Sequence, residues 1–335
     1  MIRVAVDSHI PSIKGLIEPY ARVDYLEPEE FKPEAVRGVD ALVIRTRTCC
    51  NADLLDGSRV RFIGSATIGT DHIDLGYCNQ HGISVHNAPG CNAPAVAQWV
   101  MAAINAWMHQ QGITSSHGLT LGVVGVGHIG TIVARWGRQL GFKVLLNDPP
   151  RENRDGSFDD IFHPLEKLQH QCDIITFHTP LTREGEWPTW HLCNQAFLDN
   201  LTRCRLILNA ARGSIADNVA LLNWCGDVAL DCWENEPVIS RDLLQKCVIA
   251  TPHIAGYSLE GKQRGSAMML EALNKHYGWD IPIPEIAVPA TGAPNVTLEG
   301  ISSSYDIMAD AACLKANVSS FELLRNHYNH RPEYQ

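Results

Sequence analysis

The chain has 335 residues, 45% hydrophobic and 19% charged, the balance of a folded protein too long for one hydrophobic core, so two domains are expected. A formal charge of -10 excludes broad nucleic-acid binding, which needs clustered Lys and Arg against phosphate. No window approaches the ~20 consecutive apolar residues of a membrane span, and 11 cysteines without a C-x-x-C spacing read as small buried thiols of a cytoplasmic protein, with no metal framework.

Met1 leads directly into a strand candidate at 3–6, and further strands are expected at 41–45, 61–65 and 84–87. A helical stretch at 93–110, rich in Ala, Val, Met and Trp, follows as a connector between two lobes. A second series begins at Leu119, with strands expected at 120–124, 143–146, 173–177, 205–209, 228–231 and 248–250. Strands alternating with helical patterns mark a parallel α/β sheet, and six of them suit a doubly wound nucleotide-binding domain. After Pro252 a helix is expected over 259–277, then a Pro-rich break at 281–294 and a tail with one or two helices.

The strand expected at 120–124 runs into Gly125-Val126-Gly127-His128-Ile129-Gly130, and a helical pattern continues from there. A lone G-x-G-x-x-G is weak evidence. Here it follows a strand, opens a helix, and is followed by a second strand ending in Asp148, near the ~20-residue separation expected of a ribose-binding carboxylate. Gly125 permits the turn, Gly127 admits a pyrophosphate close to the backbone, and Gly130 lets helix and strand pack. The helix start at His128 and Ile129 then presents free N–H groups to the diphosphate. Asp148 would repel a 2′-phosphate, so the implied cofactor is NAD. Pro149-Pro150 is expected to direct Arg151 away from the site.

Three further segments follow expected strands: Asn209-Ala210-Ala211-Arg212-Gly213, Asp231-Cys232-Trp233-Glu234-Asn235-Glu236-Pro237 and Thr251-Pro252-His253-Ile254-Ala255-Gly256-Tyr257. Open α/β sheets bind ligands at such strand ends. His253 suits a general base because an unperturbed imidazole titrates near working pH. Glu236 can orient that imidazole and favour its charged form, and Arg212 presents a planar fork to a carboxylate. Together they suit oxidation of a secondary alcohol beside a carboxylate. Each alone is as compatible with a packed histidine, a surface arginine or a solvated turn.

Together those three segments make the chain resemble the D-isomer-specific 2-hydroxyacid dehydrogenases, while Ala66-Thr67-Ile68-Gly69-Thr70-Asp71-His72, Ala88-Pro89-Gly90-Cys91-Asn92-Ala93, Asp148-Pro149-Pro150-Arg151 and Phe177-His178-Thr179-Pro180-Leu181 carry a closer resemblance to one subfamily of them. The resemblance implies a flavodoxin-like substrate domain at 1–92 and 255–280, with a Rossmann NAD domain at 93–254 inserted into it. It implies Arg212 on the substrate carboxylate, Glu236 as the partner of His253, and His253 as general acid and base. It further places Thr179, Asp231 and Gly256 beside the cofactor, and Thr46, Thr67 and Tyr257 beside the substrate.

The run from His253 through Tyr257-Ser258-Leu259-Glu260-Gly261-Lys262 is similar to one subfamily, whose substrate is a phosphorylated four-carbon 2-hydroxy acid. Arg45 and Arg47 flank Thr46, so either is a candidate for the phosphate. Siblings acting on 3-phosphoglycerate, glyoxylate or hydroxypyruvate remain alternatives, as do NAD(H)-sensing corepressors built on the same scaffold. Familiar members carry a longer C-terminal dimerisation domain than residues 282–335 can form. A homodimer is therefore expected through a reduced version of it and the 93–110 helix.

Overall fold

The computed structural model describes residues 1–155, 161–286 and 296–334. They form two compact units, one holding 1–92 and 258–286 and the other 93–257 and 296–334. The boundary expected at residue 255 thus falls at Ser258, whose hydroxyl caps the helix Leu259–Tyr277 by accepting from the Gly261 N–H at 3.0 Å. Residues 287–294 of the expected Pro-rich break lie outside the described residues.

The first unit is a parallel sheet of β1 (Arg3–Asp7), β2 (Arg22–Leu26), β3 (Ala41–Ile44), β4 (Phe62–Ser65) and β5 (Ser84–His86) in the order β2-β1-β3-β4-β5, the flavodoxin-like order. Side chains alternate faces along each strand. Val4, Val6, Val43 and Phe62 therefore join Met269 and Leu270 of the Leu259–Tyr277 helix in one core. Ala5, Leu42, Ile44 and Ile63 join Val36, Leu54 and Leu55 in the other. Sequence patterning missed β2, and its chemistry explains why. It is a half-buried edge strand carrying Arg22 and Asp24, of the charged kind that edges favour, and Asp24 pairs with Arg3 at 2.6 Å.

The second unit is a parallel sheet of β6 (Thr120–Val124), β7 (Lys143–Asn147), β8 (Ile174–Phe177), β9 (Leu206–Asn209), β10 (Asp227–Leu230) and β11 (Ile249–Ala250) in the order β11-β10-β9-β8-β6-β7. An isolated bridge from Phe162 to Leu146 extends it beyond β7. The order reverses between β6 and β8, which places the glycine loop after β6 at the switch point of the sheet.

The helix Ala93–Gln110 is buried almost throughout. Trp99, Met101, Ile104 and Trp107 pack with Trp136 from the helix His128–Gln139 and with Ile301 and Ile307 from the C-terminal helices Leu298–Ser304 and Ile307–Ala316. Its polar groups are matched too, Gln98 donating to Ser304 Oγ at 2.9 Å and Trp107 to Asp227 at 2.8 Å. The C-terminal segment, expected as a region of its own, packs into the second unit, and most of the 93–110 helix is buried within the chain. Among the described residues no helix is long and apolar enough to cross a membrane.

Arg331 locks that segment down. It is 6% exposed and lies 4.2 Å over the Tyr305 ring. It donates to the carbonyls of Ala95 at 3.0 Å and Ile254 at 3.1 Å, to that of Ala255, and to Gln98 Oε1 at 3.3 Å. Arg331→Met would strand these buried acceptors, and about 3 kcal/mol of unfolding free energy should be lost. Urea denaturation measures this, and a midpoint matching the wild type would show the carbonyls finding other partners.

Candidate active site

The glycine loop departs from β6 at Gly125, whose φ of +87° no β-carbon residue adopts comfortably. A methyl at Gly125 would press on the backbone of His178 and Thr179 at 2.8 Å, and one at Gly130 would meet the Gly125 carbonyl oxygen at 2.0 Å. Gly127 faces open space. No side chain caps the start of the His128–Gln139 helix at Gly127, so the N–H groups around His128 and Ile129 stay available to an anion. Beside the loop, the buried Thr179 hydroxyl has no hydrogen-bond partner among the described residues. Open space at Gly127, uncapped N–H groups and an orphaned hydroxyl fit NAD.

Asp148 accepts from the Val126 N–H at 2.7 Å and the Arg151 N–H at 2.9 Å, so the carboxylate is held against the loop. Arg151 corrects its expected direction. Its guanidinium turns back to donate to the Val126 carbonyl at 2.6 Å and lies 5.6 Å over Phe162. The Pro-Pro pair starts the helix Pro149–Asp155, and one turn of helix brings residue 151 round to the loop.

The catalytic candidates follow three neighbouring strands. Register pairs Leu230 of β10 with Asn209 of β9 and with Ala250 of β11, so all three loops leave one edge of the sheet. After β9, buried Asn209 ties the turn by donating to the Arg212 carbonyl at 2.8 Å and accepting from the Ala211 N–H at 3.1 Å. Gly213 is obligatory because a methyl there would overlap the Trp233 carbonyl, 1.9 Å away. After β10, the Glu236 carboxylate accepts from the Trp233 N–H at 2.8 Å, while its other oxygen meets His253 Nδ1 at 2.7 Å. After β11, His253 sits at φ 58°. That left-handed backbone is held by Asp231, whose carbonyl accepts from the His253 N–H at 2.9 Å. The Asp231 carboxylate accepts from Thr251 Oγ1 at 2.6 Å, the Ile254 N–H at 2.8 Å and the Ala255 N–H at 3.0 Å.

Burial opposes the charged imidazolium of His253, but Cys232 and Glu236, both within hydrogen-bonding reach, outweigh it and hold the pKa well above the ordinary value. Burial also pushes the Cys232 thiol up, so at neutral pH the supporting charge is that of Glu236. Burial would raise Glu236 as well; His253, the Trp233 N–H and Arg325 prevail and keep it below the usual carboxylate value. Cys232, Glu236 and His253 bring one ligand atom each to within 4.8 Å of one another, among the described residues the one grouping of metal-ligand type. A protonated thiol and an engaged Glu–His pair make it an acid–base centre.

Arg212, Asp231, Glu236, His253, Gly256 and Tyr257 therefore share one edge of the second unit, while Thr46, Thr67 and Arg45 belong to the first. There, Thr46 and Thr67 follow adjacent strands β3 and β4, and Thr67 Oγ1 lies 2.8 Å from Ser65 Oγ, itself 3.3 Å from His72. Arg45 is tied through Nε to buried Asp7 at 2.9 Å. Sequence reasoning missed Asn209, Cys232 and Arg325 as members of the site. A polar residue closing an apolar strand was the one available signal, and it pointed only to Asn209.

Residues 92–255 match the family described as D-isomer specific 2-hydroxyacid dehydrogenase, NAD binding domain. An erythronate-4-phosphate dehydrogenase of Bacteroides thetaiotaomicron is 40% identical over 99% of this chain and 97% of its own length. One from Bacteroides fragilis is 41% identical over the same shares. The short C-terminal segment is thus common to these relatives. The NAD+-bound 3-phosphoglycerate dehydrogenase of Entamoeba histolytica shares the fold at TM-score 0.67 and 22% identity, over 85% of this chain and 99% of that one.

The Glu236–His253 pair makes a direct electrostatic prediction. Glu236→Gln keeps an acceptor for the Trp233 N–H but removes the charge that favours the imidazolium. The NMR titration midpoint of His253 should therefore fall by about one unit or more. An unmoved midpoint would take that support away from Glu236.

Proposed function

The chain belongs to the D-isomer specific 2-hydroxyacid dehydrogenase family, and we propose that its reaction is the NAD-dependent oxidation of 4-phospho-D-erythronate to (R)-3-hydroxy-2-oxo-4-phosphobutanoate, a step towards pyridoxal 5′-phosphate. The observation that carries the chemistry is the 2.7 Å contact between His253 Nδ1 and Glu236 at a strand end next to that of Arg212. The substrate rests on the full-length similarity to relatives named for it.

With a carboxylate at Nδ1, the imidazole keeps its proton there and presents Nε2 as the base. Nε2 takes the proton of the C2 hydroxyl, and Glu236 stabilises the imidazolium that results. Arg212 grips the C1 carboxylate through its planar fork and so aims C2. NAD, when bound on the glycine loop, supplies the hydride acceptor for C2. In the reverse direction the imidazolium returns the proton. Gly125, Gly127, His128, Ile129, Gly130, Asp148, Thr179, Asp231 and Gly256 form the cofactor side, and Asp231 also holds the loop that carries His253. Tyr257 is assigned to the substrate, and Thr46, Thr67 and Arg45 are carried over as substrate contacts, Arg45 for the phosphate, from the family resemblance alone.

An acid–base pair of this geometry supports turnover over NAD sensing alone. Eleven free thiols suit the reducing cytoplasm, where we place the enzyme. NADH formation should be far faster with 4-phosphoerythronate than with 3-phosphoglycerate or glycerate. Equal or faster turnover of either competitor would overturn the substrate assignment, and NADH binding without turnover of any 2-hydroxy acid would favour a sensor.

We propose a homodimer joined through the C-terminal segment, where Met308 and Leu323 stand 43% and 58% exposed. Sedimentation should show a dimer that Leu323→Glu weakens. A wild-type monomer at all concentrations would rule it out.

A further inference from the structure

We propose that Arg325, delivered by the C-terminal helix Phe321–Asn326, is a positioning residue of this active site: its guanidinium anchors the Tyr257 phenol and shares the Glu236 carboxylate oxygen that orients His253. This rests on the reaction proposed above and extends it to the C-terminal segment.

Arg325 Nε donates to Tyr257 Oη at 3.3 Å. Its NH1 lies 3.7 Å from Glu236 Oε2, the same oxygen that His253 Nδ1 meets at 2.7 Å, and 3.6 Å from Glu322 Oε1. The side chains of Arg325 and Glu236 are each only 17% exposed, so solvent screens their interaction weakly. A planar fork can serve acceptors in different directions, which an ammonium at the end of a flexible stem does less well. Had the helix needed only a surface ion pair, Glu322 one turn away would suffice. Instead the guanidinium reaches the acid–base pair and the tyrosine next to it.

The rest of the segment holds Tyr257 as well. Its ring packs edge-on against Tyr328 at 6.2 Å and lies 6.0 Å from His330, and Arg331 donates to its carbonyl at 3.4 Å. Tyr257 is thus fixed at its ring, hydroxyl and backbone by residues some seventy positions away in the chain. Arg325 is the member of this group that also reaches Glu236.

Among the described residues, the charged and titratable groups shown to act on Glu236 and His253 include Cys232 and Asp231 from the β10 loop, and Arg325 with its partner Glu322 from the C-terminal helix. Among these Arg325 is the cation. Its charge repels an imidazolium at His253 and draws on the carboxylate that would stabilise one. Removing the charge favours the protonated histidine on both counts. Oxidation needs the neutral form, so the acidic limb of the kcat/KM profile must move to higher pH.

Two variants separate charge from hydrogen bonding. Arg325→Gln keeps an N–H for Tyr257 and loses the charge; its acidic limb should move up by about half a unit to one unit with KM little changed. Arg325→Lys keeps the charge and loses the fork; its limb should stay in place while KM rises about fivefold. NADH affinity and melting temperature, measured alongside, should match the wild type in both. Unmoved limb and KM in the two variants, or lowered melting temperature with an unmoved limb, would overturn the proposal. If the wild type instead prefers another 2-hydroxy acid, the substrate assignment fails while the same profiles, run on that acid, still decide the role of Arg325.

Discussion

Asp231 closes β10 with a carboxylate that is 1% exposed, and a buried charge is tolerable only where its acceptor sites are filled. Here they are filled by Thr251, Ile254 and Ala255, all in the loop after the neighbouring strand β11. Burial raises the pKa of Asp231, and those hydrogen bonds hold it back. The result is a loop stapled at several points to the strand end beside it. His253 lies inside that staple in a left-handed conformation, which costs a residue other than glycine roughly 1–3 kcal/mol. Without Asp231 the loop would relax and the imidazole would lose its aim at Glu236. The chemistry of the site depends on this one carboxylate, although nothing in the mechanism requires Asp231 to touch the reacting atoms.

The same economy recurs at the other strand ends. Asn209 shapes the turn that carries Arg212, and the absence of a side chain at Gly213 lets that turn lie against the Trp233 carbonyl. Trp99 donates to Thr251 Oγ1 at 2.9 Å, so the buried Ala93–Gln110 helix supports the hydroxyl that in turn supports Asp231. The C-terminal segment closes the circuit by covering that helix and clamping the carbonyls of Ile254, Ala255 and Tyr257 through Arg331. Core packing and catalytic geometry are therefore the same set of contacts in the second unit. A substitution in the C-terminal tail can reach the acid–base pair without lying near it in sequence.

Much of this was legible beforehand. The apolar runs of the central strands announced themselves because a parallel sheet buries both faces. The glycine loop was recognisable because Gly125 and Gly130 are required by clearances of a few ångströms while Gly127 leaves room for an anion, and Asp148 because a ribose needs an acceptor at the next strand end. Arg212, Glu236 and His253 stood out as chemically apt residues directly after strands. The edge strand β2 did not, since its charged and half-buried residues lack the pattern of a core strand. The direction of Arg151 was misjudged, because the Pro-Pro pair that looked like a barrier is also a helix start. The tail was expected to be a separate, reduced region, yet its apolar side chains complete a core whose other half lies some two hundred residues earlier.

Sequence alone determined the α/β class, the cofactor loop and the residue types of the catalytic set, because each follows from local constraints: a two-residue side-chain period, a backbone clearance, a pKa near neutrality. Tertiary structure decided what those residues do to one another. The order β11-β10-β9 is what brings three loops to one edge, and no local pattern encodes strand order. Hydrogen bonds that Asp231 accepts from residues 20 to 24 positions on, and the one from Arg325 to Tyr257 across 68, depend on the folded path of the chain. The acidity of His253 belongs to the same category, since it is the balance of burial against the groups that only folding places beside it.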